Sequence, residues 1–247
     1  MKKFFLFTLL SLFVVNSFAQ SNYAPEPRGY RVLVSVFAGP TIDWVQPSTS
    51  DYSRIGVAPG FRVGIPVEIN LTDRENFYFT TGVQLKFDHT VLNLPERYTI
   101  LETETSSTNI STIADRHFSR LYLTIPTGVK MKTAISSRNI LGFNVGLYHS
   151  LFFWGKTFDQ FKSETLSPKF SVTTDKEDDH YAAMFKESLY AGIGYEYKIQ
   201  HNLRSYFYVN YVFTFTNFFA PNQLNQVSNL PEKALSHGLE FIVGIGL

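Results

Sequence analysis

The chain has 247 residues, of which 44% are apolar, 16% aromatic and only 17% charged, and it contains no Cys. So many aromatics exclude a disordered chain, and the missing thiols exclude disulfides, Cys-ligated zinc and a cysteine nucleophile. A formal net charge of +1 gives no broad electrostatic reason to bind nucleic acid.

The chain opens on an address. Met1-Lys2-Lys3 is a basic start, and Phe4 to Val15 is apolar apart from Thr8 and Ser11. Ser17 and Ala19 place small residues where a signal peptidase reads. This predicts a cleaved secretory signal over residues 1–19 and a single mature domain over 20–247. The run is too short to cross about 30 Å of hydrocarbon as a helix. No later stretch is apolar for long enough to predict a helical span.

Alternation with period two follows instead, which is the signature of strands. Val32–Ala38 begins the series. In Gly60–Asn70, Phe61, Val63, Ile65, Val67 and Ile69 oppose Arg62, Gly64, Pro66 and Glu68. In Phe77–Asp88, Phe77, Phe79, Val83, Leu85 and Phe87 oppose Thr80, Gly82, Gln84, Lys86 and Asp88. Leu121–Lys132 sets Leu123, Ile125, Val129 and Met131 against Tyr122, Gly128, Lys130 and Lys132. Leu141–Leu151 sets Phe143, Val145 and Leu147 against Gly142, Gly146 and Tyr148. Leu189–Lys198, Phe207–Phe215 and Leu239–Leu247 complete eight strands.

The connections alternate as well. Those at 71–75, 134–138 and 200–203 are tight, whereas those near 40–54, 89–117, 156–183 and 219–234 are long. Short turns on one side and long loops on the other fit an outer-membrane barrel, with the turns periplasmic. A soluble barrel would turn its apolar face inward, but eight strands enclose too little space for so many bulky side chains. Gly interspersed with charge fits that interior. The predicted fold is therefore an all-β, eight-stranded, antiparallel up-and-down transmembrane β-barrel. Pro66 and Pro126, lying mid-strand, are expected to mark bulges in its wall.

The interior face carries Arg62, Lys86, Lys130, Lys132 and Lys198 with Glu68, Asp88, Glu196 and Glu240. Buried charges must pair, so these nine residues predict a neutralised plug rather than a solute channel. Strand polarity places Arg62 and Glu240 together at mid-height. Glu68, Lys130, Lys132, Glu196 and Lys198 gather nearer the periplasmic end. The acidic run Asp175 to His180 lacks the spacing and glycine of a calcium loop and reads as solvated. Trp44, Trp154, Phe218 and Phe219 read as interfacial anchors.

A lipid-modifying enzyme would need a histidine base between a hydroxyl and a carboxylate. His149 and Ser150 are neighbours in one strand and so point to opposite faces. His89, His117, His180 and His237 show no matching serine and carboxylate pattern. The chain is accordingly expected to be non-enzymatic, with no cofactor and no metal.

The segments Val63-Gly64-Ile65-Pro66-Val67 and Leu123-Thr124-Ile125-Pro126-Thr127-Gly128-Val129-Lys130, with the signal and the eight strands, resemble the PorT-type outer-membrane barrels of Bacteroidetes. That resemblance implies an accessory role in type IX protein secretion. The last strand also resembles the signal read by the barrel-assembly machinery, through Gly238, Phe241 and Val243, although it ends on Leu247 rather than an aromatic residue. The implied partners are outer-membrane lipid and lipopolysaccharide, the assembly machinery during biogenesis, and other outer-membrane or secretion proteins. A structural or solute-conducting barrel without a secretion role is the alternative reading, and a lipid A-modifying enzyme the third.

Overall fold

The computed structural model describes residues 32–48, 53–54, 56–72, 76–93, 97–103, 106–162, 171–177, 182–200, 203–219 and 233–247. The expected signal segment 1–19, and residues 178–180 of the acidic run, lie outside them.

Among the described residues there are eleven strands: β1 (Val32–Pro47), β2 (Ser53–Arg54), β3 (Ala58–Asn70), β4 (Phe77–Asn93), β5 (Arg97–Thr103), β6 (Ser106–Ala134), β7 (Asn139–Lys162), β8 (Ser171–Glu177), β9 (Phe185–Lys198), β10 (Arg204–Thr214) and β11 (Ala234–Gly246). Eight of them close the wall in the order β1-β3-β4-β6-β7-β9-β10-β11, and β11 returns to β1. Every pairing is antiparallel between chain neighbours, so the barrel is closed and up-and-down.

The barrel is inside-out. Val36, Val83, Val145, Ile193 and Val243 stand outward, Val243 with 58% of its surface exposed. Arg62, Glu196 and Glu240 are buried inward. A soluble protein does not expose so continuous an apolar surface, whereas a bilayer requires it. Inside, glycines make room for tyrosine rings. A side chain on Gly142 or Gly194 would collide with Tyr208, and one on Gly244 with Tyr206. This small-against-large fit fills a lumen only wide enough for side chains.

Three expectations are corrected. First, the long connections 89–117 and 156–183 are largely strand: β4 runs to Asn93, β6 starts at Ser106 and β7 runs to Lys162. β5 pairs with β6, and β8 with β7, as hairpin extensions. Second, neither Pro66 nor Pro126 adds a residue to the wall. The register shift lies between Leu121 and Tyr122, which pair with Trp154 and Phe152 and leave Phe153 as the extra residue. The prolines instead flank Gly82, whose φ of +134° is one that favours glycine. The β4–β6 pairing skips residues 81–83 and 125–127 there, with an unchanged register on either side. Third, Phe218 and Phe219 are not interfacial anchors: they are 4% and 1% exposed and pack into the barrel mouth.

Candidate functional sites: the lumen and the wall

The interior side chains form tiers between the tight-turn end and the far end. Nearest the turns, Lys130 bonds Glu68, and Lys132 bridges Glu68 at 2.6 Å and Glu196 at 2.9 Å. Arg204 adds a 3.8 Å contact to Glu196, and the Tyr208 hydroxyl donates to Glu196 at 2.8 Å. At mid-height, Arg62 Nη2 meets Glu240 Oε1 at 2.9 Å, and Arg62 Nη1 donates to Gln84 at 2.9 Å. The Arg62 guanidinium lies 4.0 Å from the centre of the Tyr148 ring, and the Tyr148 hydroxyl donates to Glu240 Oε2 at 3.1 Å. Above them, Lys86 bridges Asp43 at 2.8 Å and Asp88 at 2.9 Å, and Lys186 reaches Asp88 at 2.9 Å.

An apolar cap closes the far end. Val45, Leu92, Phe118 and Ala234 of the wall surround Phe218 and Phe219. The Arg120 guanidinium lies 4.1 Å from the Phe218 ring centre and donates to the Phe218 carbonyl at 3.1 Å. Between the middle and lower tiers lies a cavity of about 50 Å³, lined by Glu68, Lys130, Asn144, Tyr148 and Tyr190 among others. That is room for a few water molecules.

Of the nine interior charges named from sequence, eight are buried and ion-paired; Lys198 is half-buried at the turn end. Arg62 and Glu240 meet directly, and Glu68, Lys130, Lys132 and Glu196 form one network. Asp43, Lys186 and Arg204 belong to these tiers but were missed, because each lies near a strand end that the alternation did not reach. The residues expected to carry the assembly signal lie on β11. Gly238 faces Asp43 inside, where a side chain would collide with it, while Phe241 and Val243 face outward. Among the described residues, no His, Asp and Glu cluster suits a metal ion.

The apolar wall and ionic interior define an integral β-barrel of the outer-membrane type. No family model and no curated protein matches the chain. Among solved structures it is similar to Ail, the attachment invasion locus protein of Yersinia pestis, at 15% identity and a TM-score of 0.37, covering 88% of this chain and 99% of that one. It is similar to neisserial surface protein A at 12% identity and a TM-score of 0.39, covering 89% and 98%. It is also similar to the outer membrane protein OprG of Pseudomonas aeruginosa at 9% identity and a TM-score of 0.31, covering 90% and 98%.

Proposed function

We propose that this chain is exported by its signal segment, inserted by the barrel-assembly machinery among outer-membrane lipid and lipopolysaccharide, and serves type IX protein secretion as an accessory or assembly factor. The observation that carries the reading is the filled lumen. Three tiers of paired charge and an aromatic cap leave no path for a folded protein, so a role in secretion must be played by the wall and the strand extensions beside a separate conduit. The PorT-type resemblance of Val63–Val67 and Leu123–Lys130 supplies the secretion assignment. Deleting the gene should leave secreted cargo inside the cell. Normal export in the deletion strain would remove the secretion role and leave a structural barrel. Stable single-channel currents from purified protein in planar bilayers would favour a solute-conducting barrel instead.

A further inference from the structure

The lipid-facing wall carries a polar cluster amid apolar neighbours. Thr127 on β6, His149 on β7 and Glu187 on β9 face outward on three adjacent strands. Thr127 Oγ1 lies 2.8 Å from His149 Nε2, and His149 Nδ1 lies 2.8 Å from Glu187 Oε1. Glu187 is itself fixed: its amide donates to Thr216 Oγ1 at 3.0 Å, and its carbonyl accepts from the Phe215 amide at 3.2 Å. The His149 and Glu187 side chains keep 34% and 18% of their surface open. Around them Ile125, Val145, Leu151, Phe185 and Leu189 stand exposed. A charged group on this face is costly toward the bilayer midplane, so ionisable side chains facing lipid call for a functional reason.

The skip in the β4–β6 pairing falls beside the same hydroxyl. Residues 81–83 and 125–127 are unpaired across it, Pro126 has no N–H to offer, and Gly82 is turned out of the ordinary strand conformation. Thr81, Gly82 and Val83 remain paired with β3, and Ile125 and Thr127 with β7, so the gap is a local break in the ladder beside Thr127.

We propose that Thr127, His149 and Glu187 form an acyl-transfer site on the outer wall, acting on long-chain O-acyl esters of membrane lipids. The Glu187 carboxylate accepts a hydrogen bond from His149 Nδ1–H, fixing the tautomer that presents a bare Nε2 to the threonine hydroxyl. Thr127 Oγ1 attacks the ester carbonyl carbon as its proton passes to Nε2, which leaves a tetrahedral oxyanion. The bond from the carbonyl carbon to the lipid alcohol then breaks, and the alcohol leaves with the proton from Nε2. Water, deprotonated by the same imidazole, hydrolyses the acyl-threonine, releasing fatty acid and restoring the hydroxyl. The acyl chain rests on the surrounding apolar side chains. This site goes beyond the secretion reading and does not depend on it.

The full-length barrel, refolded in detergent, should release free fatty acid from mixed micelles of phosphatidylethanolamine or of lipopolysaccharide; the arm that turns over identifies the source of the ester. A long-chain fluorophosphonate should label Thr127. T127A and H149A should each lower release by about 100-fold or more, T127S should retain it, and E187Q should lose less than H149A. Unchanged heat-modifiability on gels separates these losses from unfolding. A folded wild type that shows neither release nor label would overturn the site, as would release that T127A and H149A leave intact. Cargo export by a T127A strain, read in parallel, keeps this test distinct from that of the secretion role.

Discussion

Glu240 is wholly buried, and its compensation comes from two other strands: the Arg62 guanidinium on β3 and the Tyr148 hydroxyl on β7. A buried pair adds little to stability while both members stand, yet losing one strands the other in a medium that solvates it poorly. R62A should therefore destabilise the refolded barrel by about 3–5 kcal/mol, read from urea unfolding in lipid vesicles. Adding E240A should recover part of that loss, because no orphaned carboxylate remains. Strictly additive losses would show that the two charges do not act together.

At the scale of elements, the unequal connections predict that the tight turns lie on the periplasmic side and the β5–β6 and β7–β8 hairpins outside. Cysteines introduced as S106C or K176C should react with an impermeant maleimide on intact cells. Labelling only after the outer membrane is opened would reverse the orientation. These hairpins also mark where the sequence stopped being legible. Gly60–Asn70 announces itself as a strand because lipid and lumen demand opposite chemistry on alternate residues. Beyond the bilayer both faces meet water, so Ser106–Ser111 carries no alternation although it is held in the same kind of ladder. The Arg62–Glu240 pair could be read because both residues obey the interior parity of clear strands. The lower network was legible for the same reason. Asp43 and Lys186 were hidden by uncertain strand ends, and Phe218 and Phe219 by a chain path that only tertiary packing determines. The Thr127, His149 and Glu187 cluster depends on the register of three strands, which no single strand encodes.

For the whole molecule, the seal is redundant. The aromatic cap and the ionic tiers block the lumen at different heights, so removing one leaves the others. F218A combined with F219A should enlarge the mouth yet leave planar bilayers without steady conductance. Large, stable currents from that double variant would mean that the cap alone closes the barrel. The same layering predicts that a purified barrel remains closed over a range of membrane potentials, since its interior charges are held by partners rather than free to move.

The wall is also uneven in height. β6 has 29 residues and β7 has 24, whereas β10 has 11 and β11 has 13. At about 3.3 Å per residue, β6 extends roughly 95 Å along its own axis, far more than a tilted crossing of about 30 Å of hydrocarbon requires. Among the described residues the wall is thus a parapet on one side and a low sill on the other. Another membrane-embedded body can lie flush, rim to rim, along the low side where β9, β10, β11 and β3 have 14 residues or fewer. Anything approaching from the cell's surroundings meets the parapet first. Such a shape gives a barrel with no inner path two separate addresses, one within the plane of the membrane and one well above it.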